Sequence, residues 1–180
     1  MSEKRIQLEQ AATETVQRGG LRSLSFRTLA DEVGIKSSSV HYHFPEKADL
    51  AGALIDRYSE EFQMQLAQID ASEAGAREKL LAFVAIFEDV VQADKFCLCG
   101  MMAAEVEALD DDNRSKLADY FDSTEAWLLQ TLSTGKCVMQ PQVLAPIILS
   151  GLEGAILLDR VDGSQSRVKA QQELVRKLVK

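Results

Sequence analysis

An all-α fold of about nine helices is expected from three features of the 180-residue chain. Apolar residues recur at spacings of three and four almost from end to end, the period of an amphipathic helix. No stretch shows the apolar–polar alternation of a half-buried strand, and no internal repeat or low-complexity segment stands out. Three prolines and ten glycines leave little room for long irregular linkers.

The elements follow in order. A first amphipathic helix spans Ile6 to Arg18 and runs into Gly19-Gly20. Next comes FRTLADEVGIKSSSVHYHFPEK, Phe26 to Lys47. Leu29, Ala30 and Val33 lie at i, i+1 and i+4, an inward stripe on a short helix. Gly34, just past the last apolar residue, ends that helix in a left-handed conformation. Ile35 anchors the turn, and Ser37 or Ser38 is placed to cap the next helix. Val40 and Phe44 are i, i+4 and point back at the first helix, and Pro45 stops the second. Ala30 is small where the two helices cross. Two helices joined by a three- or four-residue turn containing Gly form the unit whose second helix enters the DNA major groove.

The rest of the chain also reads as helices. Leu50, Leu54, Tyr58 and Phe62 mark a long helix from Lys47 to about Ile69, broken by Ala71-Ser72-Glu73. Leu80, Phe83, Val84, Phe87 and Val91 share one face of a helix from Ala74 to about Ala93, and a shorter helix spans about Phe96 to Ala108. Asp110-Asp111-Asp112 suits the start of a helix, where carboxylates meet free N–H groups and the helix dipole. That helix carries Leu117, Phe121, Trp127, Leu128 and Leu132 to about Ser133, and Thr134-Gly135 ends it. Pro141 and Pro146 open a helix to about Arg160, Asp162-Gly163 turns the chain, and Ser164 begins a last helix to Val179. Ile147, Ile148, Leu149, Leu152, Ile156, Leu157 and Leu158 cover more than half the girth of the penultimate helix, which predicts burial on most sides. Ser150, Gly151, Gly154 and Ala155 would permit close helix approach.

Composition narrows the function. The chain is 46% apolar and 27% charged, ordinary for a globular protein with a real core. No run of about 18 apolar residues predicts a membrane span. The first ten residues lack the apolar core of a signal peptide, and three cysteines do not make a disulfide framework, so a cytoplasmic location is expected. The net charge of −8 is unevenly spread. Residues 1–47 hold seven Lys/Arg and six Asp/Glu, leaving +1, whereas residues 48–180 hold thirteen and twenty-two, leaving −9. A near-neutral head implies that specific contacts, more than bulk attraction, hold it on DNA. No catalytic motif is present, and both histidines lie in the proposed recognition helix, so no enzyme activity and no cofactor are expected. His41 and His43, at i and i+2, face different ways and lack a Cys or carboxylate partner at ligand spacing, so no metal site is expected.

The ordered set Leu24-Ser25-Phe26-Arg27-Thr28-Leu29-Ala30, Val33-Gly34-Ile35, Ser39-Val40-His41-Tyr42-His43-Phe44, Lys47 and Leu50, after the amphipathic first helix, resembles the tetracycline-repressor (TetR) family of bacterial transcriptional regulators. The specific likeness covers about the first fifty residues. It implies a three-helix DNA-binding domain over residues 1–47 and a helical ligand-binding and dimerisation domain over 48–180. The partners it implies are a double-stranded DNA operator, a small-molecule effector and a second copy of the chain, with repression as the mode of action. The alternative is a helical ligand-binding or interaction module without sequence-specific DNA binding, which the acidic balance would suit.

Site residues follow. Ser38, Ser39 and Tyr42 lie away from Val40 and Phe44 and are candidates for base edges or nearby phosphates. Arg27, Thr28, Lys36, Ser37 and Lys47 are candidate phosphate or base contacts. His41 departs from the family's usual Tyr, which stands one place later at Tyr42, while His43 matches a common His/Tyr position. A pocket in the helical body is expected among Phe83, Phe87, Phe96, Met101, Met102, Phe121 and Trp127, for a hydrophobic effector. Cys97 and Cys99, in a Cys-x-x-Gly segment at a helix start near Lys95, are candidate sensors of oxidants or electrophiles. The resemblance implies dimerisation through the last two helices, here by way of Leu149, Leu152, Gly154, Ile156, Leu174 and Leu178. A two-fold dimer would set two recognition helices about 34–36 Å apart on a palindromic operator.

Overall fold

The computed structural model describes residues 2–72 and 74–180. Met1 and Glu73 lie outside the described residues, so of the break expected at Ala71-Ser72-Glu73 only the first two residues are seen, following the end of a helix at Asp70. The fold is all-α, with nine α-helices among the described residues: α1 (Glu3–Gly19), α2 (Phe26–Val33), α3 (Ser37–His43), α4 (Lys47–Asp70), α5 (Ala76–Gln92), α6 (Leu98–Ala104), α7 (Asp111–Ser133), α8 (Pro141–Asp162) and α9 (Ser166–Leu178). Short 3-10 turns cover Leu21–Ser23 and Val106–Ala108.

Helix ends have local causes. Ser2 Oγ accepts from the Arg5 N–H at 3.3 Å and starts α1, and Ser25 does the same for Thr28 ahead of α2. Asp49 accepts the Glu46 N–H at 2.8 Å in the first turn of α4. Asp110 accepts the Asn113 N–H at 2.9 Å, so the acidic cluster does open α7. The helix expected from Phe96 to Ala108 is shorter. Glu105 leaves helical geometry at φ −113° and splits it into α6 and a 3-10 turn.

Two compact units emerge. The first comprises residues 1–60 and 98–119. Its core is built from Leu8, Ala12 and Val16 of α1, Leu29 of α2, Val40 and Phe44 around α3, and Leu50 and Leu54 of α4, all with almost no exposure. Leu98 and Met102 of α6 are equally buried, and α6 packs on α1.

The second unit comprises residues 61–97 and 120–180. There α5 packs against both α8 and α9, which form an antiparallel hairpin. Asp159 closes the hairpin. Fully buried, it accepts the N–H groups of Arg167 and Val168 at 3.0–3.1 Å, the Ser164 hydroxyl at 2.8 Å and the Arg167 guanidinium at 3.1 Å. Burial alone would raise its pKa, but these donors outweigh it and hold the carboxyl below its ordinary value.

Helix α8 differs from the expectation of burial on most sides. Leu149, Leu152 and Ile156 turn into the chain's own core, at 6%, 0% and 1% exposure. They are therefore corrected as dimer contacts, being already spent on the subunit's interior. Val143, Ile147, Leu157, Leu158 and Val161 instead stand exposed, and with Ser150 and Gly154 they fall at steps of three and four along one outward stripe. Leu174 and Leu178 of α9 are half-buried. By length and composition α8 is also the one helix among the described residues apolar enough to cross a membrane, against the sequence reading that no such segment exists. Its inward face packs on α5 and α9 as a core helix.

Candidate nucleic-acid interface and effector site

The reading head rests on one turn. Gly34 takes φ 68° and ψ 41°, its N–H reaches the carbonyls of Ala30 and Asp31, and the Ile35 N–H bonds the Ala30 carbonyl at 2.9 Å. This left-handed closure favours glycine, and it redirects the chain within three residues. The expected Ser37 or Ser38 cap is not formed. Lys36 occupies the cap position, with no side-chain cap bond, and both serines lie inside α3. Their hydroxyls thus stay out of the helix's own bonding.

Eight of the ten sequence-predicted DNA contacts are exposed on this head: Arg27, Thr28, Lys36, Ser37, Ser38, His41, Tyr42 and Lys47. Tyr42 projects furthest, at 83% exposure. Val40 and Phe44 face inward as expected, so α3 has one anchoring side and one polar, outward side. Ser39 and His43 are half-buried. His43 instead lines a polar groove with Arg5, Glu9, Arg57 and Lys116. The ring of His41 meets Phe26 edge-on at 4.9 Å, and its Nδ1 lies 3.2 Å from the Pro45 carbonyl, which fixes the N–H on that nitrogen. His41 thus braces the end of α3 against α2 and leaves only Nε2 to face outward.

Two supports of the head were not anticipated. Glu9 is buried in α1 and pairs with Arg5 at 2.9 Å and Arg57 of α4 at 3.8 Å, while Arg5 also covers the Phe44 ring at 4.7 Å. Glu105, just past α6, accepts the Arg22 N–H at 3.0 Å in the turn between α1 and α2. Gly20 at that turn has φ 80°, and a Cβ there would meet the Glu105 carboxylate at 3.0–3.2 Å. No sequence spacing joins positions 22 and 105, so only the fold reveals the contact.

In the second unit Phe83, Phe87 and Trp127, three of the expected effector residues, meet in one aromatic cluster. Phe83 stacks on Trp127 at 5.4 Å and meets Phe87 at 5.2 Å. Phe62 and Tyr120, not on the predicted set, complete it: Phe62 lies 5.4 Å from Tyr120 and 6.1 and 6.4 Å from Phe83 and Phe87. Phe121 touches its edge through Tyr120 at 5.1 Å. Phe96 carries the Arg160 guanidinium at 5.4 Å. Met101 and Met102 lie on α6 in the first unit, with Met102 fully buried. Cys97 lies in the second unit, 3.8 Å from the Tyr120 hydroxyl, and Cys99 is buried in the first.

Residues 9–54, which contain the whole α2–turn–α3 unit, match the family model described as "Bacterial regulatory proteins, tetR family". The likeness extends well past that segment. A TetR transcriptional regulator from Legionella pneumophila is 27% identical with a TM-score of 0.92, covering 100% of this chain and 99% of that one. Residues 9–54 are thus a TetR-type DNA-binding segment, in a chain whose fold is that of TetR-family regulators. A TetR-family regulator from Agrobacterium tumefaciens is similar over 98% of both chains, at 25% identity and a TM-score of 0.93. An uncharacterised HTH-type transcriptional regulator of Lactococcus lactis subsp. lactis is 24% identical over 92% of this chain and 88% of its own length. The chain is a non-enzymatic transcriptional regulator with a DNA-binding helix-turn-helix.

Proposed function

We propose that this TetR-family regulator represses transcription as a homodimer in the cytoplasm, bound to a palindromic operator from which a small effector releases it. Residues 1–47 serve as the reading head and residues 48–180 as the sensing and dimerising body. The observation that carries this reading is the two-sided α3, anchored by Val40 and Phe44 and presenting Lys36, Ser37, Ser38 and Tyr42 to the outside. An α-helix so mounted fits the major groove, where serines and a tyrosine reach base edges or phosphates. Arg27, Thr28 and Lys47 flank it as phosphate contacts, and Ser39, His41 and His43 act at its margin.

The outward stripe of α8, together with Leu174 and Leu178 of α9, supports dimerisation. Its apolar residues fall on one continuous face, and Ser150 and Gly154 let a second helix approach closely. The aromatic cluster around Phe62, Phe83, Phe87, Tyr120 and Trp127 is the effector site, with an apolar body as the matching ligand feature. Cys97 borders it, so an electrophilic effector that enters would meet a thiol. Release follows if the effector binds the form with misplaced heads better than the DNA-bound form. Glu105, which ties the end of α6 to the turn at Arg22, is suited to carry that change to the head.

A mobility shift against the DNA flanking the chain's own gene tests this. The dimer is expected to shift that fragment specifically. Arg27→Ala is expected to weaken binding to all sequences alike and to lower the salt-dependence slope by about 1, the signature of one lost phosphate contact. A folded dimer that fails to bind at low salt would overturn the reading.

A further inference from the structure

The long apolar helix α8 carries a carboxylate in its middle. Glu153 sits midway along α8, within SGLEGAIL. Its Oε1 is sealed from solvent and has no hydrogen-bond partner. The carboxylate receives one hydrogen bond, from the Cys97 thiol. Cys97 in turn lies 3.8 Å from the hydroxyl of Tyr120, whose ring is 5.4 Å from Phe62, the hub of the aromatic cluster. Glu153 therefore stands at the edge of that cluster with one oxygen unanswered.

We propose that the second unit binds an organic cation, an amine or ammonium on an apolar body, and that Glu153 is the group that recognises it. The inference rests on the reading that this unit senses an effector, and it names the chemical class. An enclosed carboxylate without a counter-charge is costly, and a cation arriving beside it recovers that cost. Aromatic faces attract the same kind of group through their quadrupoles. An anion would be repelled by the carboxylate, and a neutral alcohol would gain one hydrogen bond without the charge interaction.

Among the described residues no cation pairs with Glu153. Arg160 lies two turns further along α8, paired with Asp94 and laid over Phe96; its Nε is enclosed without an acceptor, but its charge is already matched. On the helices packed against α8, Glu88 of α5 accepts from Gln172, and Arg167 of α9 is committed to Asp159 and Asp162. Cys97 is the titratable group bonded to Glu153, with Tyr120 beyond it. Because Oε1 is closed off within a single chain, a partner subunit lying on the outward stripe of α8 does not supply the missing contact either.

Burial pushes the Glu153 carboxyl up to about 7, against the opposing pull of the Cys97 hydrogen bond. The sign of the pH effect follows. Above that value the carboxylate is ionised and awaits a cation, and below it the neutral acid offers far less. Cation affinity should therefore rise with pH through 7 and then level off.

The test uses the intact protein and three probes with one body: hexylammonium, hexanol and hexanoate, titrated calorimetrically at pH 6 and pH 8. At pH 8 hexylammonium is expected to bind at least about tenfold more tightly than the other two, and to lose roughly tenfold at pH 6. Glu153→Gln should abolish that preference and its pH dependence, and Glu153→Asp should keep the pH dependence with weaker binding. Equal binding of amine and alcohol, amine binding retained by Glu153→Gln, or no response of the parent to any probe would each overturn the proposal. The parent's pH profile decides the matter even if a variant fails to fold. A parent that holds its operator but ignores the amine overturns only this inference. A parent that binds the amine but no DNA overturns the regulator reading instead.

Discussion

Replacing Ile147 and Leu158 together by glutamate is expected to leave a folded monomer that no longer holds its operator. Both side chains stand on the outward stripe of α8, at 43% and 55% exposure, so the substitution removes nothing from the subunit's own core. Across a two-fold axis it sets four carboxylates on one apolar seam, in a chain that already carries a net −8. Operator binding suffers because a dimer's second head binds at the high effective concentration created by the first. Losing that bivalency should cost at least about 100-fold in affinity, or about 2.7 kcal/mol. Sedimentation and a mobility shift on the same sample check it. A double variant that stays dimeric with full operator affinity would move the interface elsewhere.

The second large effect is on stability. Asp159→Ala is expected to destabilise the protein by about 3–5 kcal/mol, the cost of removing one partner from a buried charged cluster. The alanine leaves the N–H groups of Arg167 and Val168 without their acceptor at the very start of α9. The α8–α9 hairpin should loosen first, so dimerisation should fail before the head melts. The pH dependence is a second readout. The folded pKa of Asp159 is lowered, so its contribution is complete above the ordinary aspartate value of about 3.9 and fades only as pH falls further, through the folded value. The parent should therefore lose this stability only in acid, and the alanine variant should show a flatter acid limb. Chemical denaturation at several pH values measures both, and a loss under about 1 kcal/mol would contradict the assignment.

Much of the head was legible because its signals are local. Gly34 after Val33, and Val40 and Phe44 at i, i+4, are decided by neighbours within a few residues, and both appear in the fold as read. The missing serine cap shows the limit. Ser37 and Ser38 have the right chemistry for a cap, but the turn at Ile35 brings Lys36 to that position instead. The overlong sixth helix has a similar cause. Apolar spacing continues to Ala108, yet Glu105 is drawn out of helical geometry where it accepts the Arg22 amide, 83 residues away.

The body is less legible in the sequence, for a physical reason. A helix that packs inside its own subunit and one that packs on a second subunit carry the same apolar signature. Composition alone could not divide α8 into Leu152 and Ile156 on one side and Ile147 and Leu158 on the other. Residue type alone marks Phe83, Phe87 and Trp127, whereas Phe62 shows in the sequence only as part of the α4 stripe and no local pattern marks Tyr120. Glu153 and Asp159 were visible as carboxylates inside an apolar run. A charge that survives in such a run marks either a structural lock, as at Asp159, or an unanswered group, as at Glu153.

The central claim, that a two-fold pair of α3 helices reads DNA, is tested most directly by selecting bound duplexes from a random pool with the intact protein. An inverted repeat whose half-sites lie about one helical turn apart, or a small multiple of it, is the expected result, with enrichment lost in the Ile147→Glu, Leu158→Glu variant. Recovery of no sequence above background by a folded dimer, or of single half-sites bound equally well by the monomeric variant, would contradict it.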